Sequence, residues 1–206
     1  GGAEPLEAFF RKIGFYQPPQ IEITEVVRPR TPRRWADVTV ATTAFGHGLA
    51  VTPLQFMDAV GGVVAGGERV PPTLLKRDGT AELPRTRYVK ASTADALRWL
   101  MWLGVEHGTG EQARLASYLV GGKTGTAEKP GRGGYSADRV LASFVGAFPI
   151  QAPRYLVFVA LDEPHGDAGT HGYHYGGWTA APVVAAIIDR IGPLLNVAPT
   201  PPTVET

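Results

Sequence analysis

The chain has 206 residues, 44% hydrophobic and 19% charged, with 20 Lys and Arg against 19 Asp and Glu. That is enough apolar material for a buried core, while a net charge of +1 without a basic block argues against a nucleic-acid partner held by a charged surface. Having no cysteine excludes a disulfide framework and a thiolate metal site, and no apolar run reaches transmembrane length or reads as a signal peptide.

In chain order, Ala3 to Ile13 reads as a short amphipathic helix with Leu6, Phe9, Phe10 and Ile13 on one face and Gly14 as its stop. Only two glycines precede it, so the chain is expected to begin abruptly. Residues 15–37 read as an extended loop whose arginines, Arg28, Arg30, Arg33 and Arg34, suit a solvated surface. Phe45-Gly46-His47-Gly48 reads as a tight turn, with His47 a surface or packed histidine. Thr52-Pro53 then opens a helix, with a hydroxyl at the N-cap and Pro at the first helical position. Leu54, Phe56, Met57, Val60, Val63 and Val64 form its apolar face and Gly66-Gly67 closes it. Residues 68–90 read as an irregular link with a turn at Asp78-Gly79 and two short strands. Ser92 with Asp95 resembles a capping box for the next helix. Leu97, Leu100, Met101 and Val105 line one face of that helix, flanked by Trp99 and Trp102, and Gly104 and Gly108 mark its end.

Tyr118-Leu119-Val120 reads as a strand leaving into the polar run Gly121-Gly122-Lys123-Thr124-Gly125-Thr126-Ala127-Glu128-Lys129. In that run Lys123 offers a cation to an anion. Thr124 and Thr126 alternate with Gly125, so both hydroxyls fall on one strand face. Gly125 lets another backbone come close, and free edge N–H and C=O groups could pair with an extended peptide. Glu128 to Arg139 reads as a loop. Val140 to Phe148 and Tyr155 to Leu161 read as the next strands of an antiparallel meander, linked by Pro149 to Arg154. Tyr155 to Leu161, apolar throughout, is expected to be the central strand and to lie deeper than the Lys123 strand. Asp162 to Trp178 reads as a loop. Thr179 is expected to cap a last helix, with Pro182 in its first turn, Val183, Val184, Ile187, Ile188 and Ile191 against the sheet, and Gly192-Pro193 as its stop. A Pro/Thr-rich tail from Val197 is expected to be loosely attached. Two other sites compete. Asp162, Glu163, His165, Asp167, His171 and His174 share one loop, but their spacing matches no metal-ligand pattern, and no metal is expected. A Ser136, His165, Asp167 triad lacks a nucleophile elbow.

Three segments carry a family resemblance: Phe45 to Gln55, Gly122 to Lys129 and Tyr175 to Pro182. With them, nearly the whole chain, from Phe9 to Ile191, resembles the C-terminal half of the transpeptidase domain of class B penicillin-binding proteins, most closely the division-specific penicillin-binding protein 3 type. The resemblance implies an α/β (α+β) fold, part of a penicillin-recognising three-layer α/β/α sandwich with a mainly antiparallel sheet. Residues 1–195 would be the C-terminal portion of the domain and 196–206 a tail. It implies peptidoglycan D,D-transpeptidase chemistry in septal cell-wall synthesis, with Lys123, Thr124, Gly125 and Thr126 catalytic. Lys123 would support electrostatics and proton traffic, Thr124 and Thr126 would bind the substrate or drug carboxylate, and the Thr126 N–H would contribute to an oxyanion hole. His174, Tyr175 and Gly176 would border the bound substrate. The family often has two aromatics where His174 and Tyr175 stand, and another where Val140 stands, so the chain departs at His174 and Val140. His47 would be a structural feature rather than a base.

The family's nucleophile motif is Ser-x-x-Lys, with Ser-x-Asn beside it. Asp95, Val120, Arg139 and Gly146 stand three residues after the four serines, Ser92, Ser117, Ser136 and Ser143, and none of the four has Asn two residues on. The nucleophile and its partner motif are therefore expected N-terminal to this chain, and the chain alone is expected to be inactive. Implied partners are peptidoglycan stem peptides, β-lactams, the N-terminal half of the same domain, and membrane glycosyltransferase and divisome proteins, at the periplasmic face of the inner membrane with the anchor outside this chain. No cofactor is implied. A non-catalytic β-lactam-sensing or scaffold module is the alternative.

Overall fold

A computed structural model describes residues 2–77, 83–131 and 134–200. The chain divides into two compact units, residues 1–95 and 96–206.

In the first unit, helix α1 (Ala3–Lys12) ends at Ile13, followed by Gly14 at φ +89°, as its pattern predicts. Phe10 stacks on both Phe15 and Trp35. The four loop arginines are exposed. A short helix α2 (Asp37–Thr43), which the sequence pattern does not announce, lies before the Phe45–Gly48 turn. Helix α3 (Pro53–Val64) starts at Thr52 with a full capping box closed by Gln55. Its buried residues are Gln55, Ala59, Gly62 and Val64 rather than the broad face expected. Gln55 explains the difference: its Nε2 donates to the carbonyls of Gly14 (3.1 Å) and Gln17 (2.6 Å), tying α3 to the loop after α1. Small residues beside it admit the Tyr88 ring, whose hydroxyl donates to the Ala59 carbonyl. Burial pushes the Tyr88 phenol up to about 12. Strands β1 (Glu68–Arg69) and β2 (Thr86–Arg87) pair antiparallel, the two short strands expected, whereas the Asp78-Gly79 turn lies outside the described residues.

Helix α4 (Ala91–Glu106) begins before Ser92, which therefore sits inside the first turn rather than at the cap. Val105 is fully buried, but Trp99 and Leu100 are more than half exposed. In the second unit, strands β3 (Gly121–Gly131), β4 (Gly134–Phe148) and β5 (Tyr155–Asp162) form an antiparallel sheet in the order β3-β4-β5. Three expectations are corrected here. The strand is not Tyr118–Val120 but the glycine-rich run itself, and Glu128 to Arg139 belongs largely to the β3–β4 hairpin. The central strand is β4, not β5: Ala142, Phe144, Ala147 and Phe148 have no accessible surface, whereas Tyr155 to Val159 are only half-buried. Position in the sheet depends on how many neighbours a strand has, and β5 pairs on one side only among the described residues.

Helix α5 (Gly176–Leu194) covers one face of this sheet. Alternation and register put Thr124, Phe144 and Val159 in one row and Gly122, Gly146 and Val157 in another, on the same face. Val184 and Ile188 close over that face and are fully buried, while Val183 points out and is 39% exposed. The helix starts three residues before Thr179, whose hydroxyl donates back to the Tyr175 carbonyl (3.0 Å), and it continues past Gly192-Pro193. Pro182 accordingly lies beyond the first turn. The tail is fixed at its start: Val197 is buried, its carbonyl accepts from the Tyr118 hydroxyl (3.3 Å), and the Thr200 N–H donates to Ser117 (2.9 Å).

Because Ile188 is enclosed by this core, Ile188→Ala should cost about 2–5 kcal/mol and Ile188→Val about 1 kcal/mol, while Val183→Ala should stay within about 0.5 kcal/mol. Urea unfolding followed by circular dichroism measures all three. Equal losses at positions 183 and 188 would show that α5 packs by a different face.

Candidate active site

Strand β3 forms an edge of the three-stranded sheet among the described residues. By strand alternation, Lys123 and Gly125 lie on one face and Thr124 and Thr126 on the other. Lys123 and Thr126 are exposed, and Thr124 and Gly125 half-buried. The Lys123 Nζ donates to the Thr124 carbonyl (2.7 Å), which folds the ammonium back along the strand edge. The Thr124 hydroxyl lies 2.9 Å from that of Thr109. Thr109 carries little signal in the sequence, a lone Thr between Gly108 and Gly110 after a helix.

The first turn of α5 lies on the threonine face. Its N-cap residue, Tyr175, has no hydroxyl or carboxylate near the backbone to satisfy the free N–H groups of a helix start. The Gly176 N–H instead donates to the Thr126 hydroxyl (3.2 Å), so a strand side chain serves as the cap. This closeness requires glycine. A Cβ on Gly176 would strike the Ser143 and Gly125 carbonyls, and one on Gly177 would strike the Thr109 carbonyl. Lys123, Thr124, Gly125, Thr126, Thr109 and Gly176 thus gather at one end of the sheet, with the positive end of a 19-residue helix beside two hydroxyls. Such a group can accept an extended, anionic ligand along the strand edge.

His174 is half-buried and Tyr175 is 48% exposed, their rings 4.9 Å apart, and Tyr175 also stacks on Tyr173. Four of the acidic and histidine residues of this loop, Asp162, Glu163, Asp167 and His171, are occupied in other ways. Lys129 Nζ lies 2.7 Å from both Asp162 and Glu163, and Arg139 is 2.9 Å from Glu163. The Asp167 carboxylate accepts from the Thr170 N–H (2.9 Å), closing a turn, and His171 meets Trp178 edge-on. Among the described residues no three His, Asp or Glu side chains converge as a metal site. Asp167, engaged in its own turn, does not orient a histidine as a triad would. The Ser143 hydroxyl lies 3.5 Å from the Gly125 carbonyl and that of Ser117 donates to Asp189 (3.0 Å). Val140, where the chain departs from the resembled family's aromatic, is buried on β4 opposite Glu128.

Residues 2–189 match the family described as the penicillin binding protein transpeptidase domain. The chain is 38% identical, over 95% of its length, to the probable peptidoglycan D,D-transpeptidase FtsI of Caulobacter vibrioides, of which it covers 35%. It is 33% identical, over 99% of its length, to the stage V sporulation protein D of Bacillus subtilis, again covering 33% of that protein. The chain therefore spans about a third of the length of these curated relatives. Among solved structures, the apo transpeptidase domain of Burkholderia pseudomallei penicillin-binding protein 3 superposes with a TM-score of 0.86 at 33% identity, over 97% of this chain and 60% of that one. Penicillin-binding protein 3 of Mycobacterium tuberculosis, complexed with ampicillin, superposes with a TM-score of 0.84 at 27% identity, over 98% of this chain and 48% of that one. The expected α/β fold of the penicillin-recognising type is the fold observed.

The capping role of Thr126 is directly testable. Thr126→Val should lower the unfolding free energy by about 1 kcal/mol, the usual worth of an N-cap hydroxyl, and Thr126→Ser should restore it. Thermal unfolding is the measurement, and a Thr126→Val protein as stable as the parent would remove the hydroxyl from that role.

Proposed function

Because this chain belongs to the penicillin-binding protein transpeptidase domain family, we propose that it supplies the Lys-Thr-Gly wall of a serine-type peptidoglycan D,D-transpeptidase. In this reading a serine from a Ser-x-x-Lys segment outside this chain adds through its oxygen to the penultimate D-alanine carbonyl of a stem peptide. The resulting oxyanion is held by backbone N–H groups, including that of Thr126, and collapses with departure of D-alanine. An amine of a neighbouring stem peptide then takes the acyl group from the serine. β-Lactams enter the same site and remain as the acyl-enzyme.

The observation that carries this reading is the edge position of β3 with two hydroxyls aligned on one face. A free strand edge can pair with an extended donor peptide through its backbone. Thr124 and Thr126, next to the N-terminus of α5, suit the donor's terminal carboxylate or the corresponding carboxylate of a penicillin. Lys123, reaching the edge from the opposite face, adds the positive charge. His174 and Tyr175 would border the donor's side chains. We further propose a septal role at the periplasmic face of the inner membrane, with membrane glycosyltransferase and divisome partners, from likeness to proteins named FtsI. Within the described residues no helix is long and apolar enough to cross a membrane. The absence of Lys three residues after any serine keeps a second reading in play, a non-catalytic β-lactam-sensing or scaffold module.

Two measurements separate these readings. In the protein carrying the whole domain, Lys123→Ala and Thr124→Val should each slow acylation by a fluorescent penicillin about a hundredfold, the usual cost of one lost transition-state donor. Unchanged rates in both folded variants would defeat the site assignment. The 206-residue chain incubated alone with benzylpenicillin should show no added mass by intact-mass spectrometry, since its serines lack the neighbouring lysine base. An adduct there would reveal a nucleophile within this chain.

A further inference from the structure

The loop that carries His174 and Tyr175 is held at both ends by one short piece of β3. At its far end the Gly176 N–H rests on Thr126. At its near end β5 stops where Glu163 turns out of the sheet with φ +50°, a left-handed conformation that a glutamate adopts at a cost. The Glu163 N–H still donates to the Val140 carbonyl (2.9 Å), so this is the last residue tied to β4 by its backbone. Its carboxylate then bridges the other two strands. One oxygen accepts from Lys129 Nζ (2.7 Å) on β3 and from Arg139 Nε (3.0 Å) and Nη2 (2.9 Å) on β4.

The β3–β4 pairing is shaped for this bridge. Glu128 faces Val140, but the next residue, Lys129, faces Ser136, so the β4 residues between, which include Arg139, are looped out of register. The bulge brings Arg139 to the end of β5 while Lys129 reaches it from the other side. Asp162, also 2.7 Å from Lys129, completes the group.

We propose that Glu163 is a positioning residue for the Lys-Thr-Gly site. Its carboxylate, shared by Lys129 and Arg139, sets where the 164–175 loop leaves the sheet, and through it the stance of His174 and Tyr175 toward a ligand on the Thr124–Thr126 edge. The inference rests on the transpeptidase reading for its functional consequence. Exposed ion pairs contribute little to global stability, so the effect is local, on a loop whose two ends share a strand. The bridge is not a switch at neutral pH. Lys129 first, then Arg139, hold the Glu163 carboxyl at about 2, below its ordinary value of 4.5. A depressed carboxylate contributes fully above that ordinary value and is lost only as pH falls toward 2. The charged groups facing it are Lys129 on β3, Arg139 on β4 and Asp162 on β5.

The test uses the protein carrying the whole domain, with Glu163→Gln, Lys129→Met and Lys129→Arg. Acylation by a fluorescent penicillin is resolved into the apparent dissociation constant of the first complex and the acylation rate constant, and amide hydrogen exchange is followed over residues 164–175. Glu163→Gln and Lys129→Met should weaken the first complex about five- to tenfold, within the usual range of a coupling through packed neighbours. The acylation rate constant should stay within about twofold, the loop amides should exchange faster, and the unfolding midpoint should not move. Lys129→Arg, which keeps the charge, should behave as the parent. Unchanged loop exchange with unchanged binding in Glu163→Gln overturns the proposal, as does an equal fall in both kinetic constants with a lowered midpoint, which would mark a general structural role. A parent protein that takes no label defeats the transpeptidase reading instead, and the exchange measurement then decides on the bridge by itself.

Discussion

The close seating of the first turn of α5 on the backbone of β3 and β4 is the constraint on which the candidate site depends. It is possible because Gly176 and Gly177 present only hydrogen where the Ser143, Gly125 and Thr109 carbonyls approach. Two consequences follow. Unsatisfied N–H groups of a long helix arrive next to the hydroxyls of the Lys-Thr-Gly strand, and one of them is capped by Thr126. The rest of the helix is then aimed along the sheet, so that Ala180, Ala181, Val184 and Ile188 fall on the apolar rows of β4. The same geometry builds the core and polarises the site, so a side chain added at either glycine would disturb both.

The core explains why so polar a strand can hold its place. β3 contributes glycine, lysine and threonine over most of its length, residues of low strand propensity apart from Thr. Its position comes from β4, which pairs with it from Gly121 to Gly131 and is itself buried through Phe144 and Phe148. The framework is apolar and central, and the candidate site is on the edge that it fixes. This division lets Lys123 and Thr126 remain exposed while the strand keeps its register from Gly121 to Glu128.

Much of this was legible in the sequence because local rules and tertiary packing agree there. Thr52-Pro53 is a helix start by hydroxyl and ring alone, and the capping box with Gln55 bears it out. Lys123, Thr124 and Thr126 could be assigned to opposite faces from strand alternation alone. The misreadings share a cause. Apolar content reads as depth in a sequence, which places Tyr155 to Leu161 at the centre. Depth is decided by neighbours, and β4, whose glycine, alanine and serine dilute its pattern, has two. Thr179 looked like a cap because it is a hydroxyl before an apolar run, but the helix begins earlier, where Thr126, 50 residues away in sequence, supplies the hydroxyl. The sequence gives no sign of the role of Glu163, since its partners, Lys129 and Arg139, are distant in sequence and joined to it only through a break in register. Val197 looked loose by composition, yet it is buried next to Tyr118.

The two outer strands of the sheet, among the described residues, differ in a way that bears on what each can bind. β3 offers Lys123, Thr124, Thr126, Glu128 and Lys129, polar groups that remain soluble when nothing is paired with them. β5 carries Leu156 and Phe158 on the face away from α5, both half-buried, apolar groups that gain from lasting burial. A strand edge has the same backbone donors and acceptors in both cases, so backbone pairing alone cannot tell a transient partner from a permanent one. Side chains make the difference. Apolar burial of about 25 cal/mol per Å² favours a cover that does not leave, whereas hydroxyls and an ammonium exchange protein contacts for water at little net cost and can release what they hold. On this physical ground the β3 edge, rather than the apolar β5, is the one suited to a ligand that enters and departs.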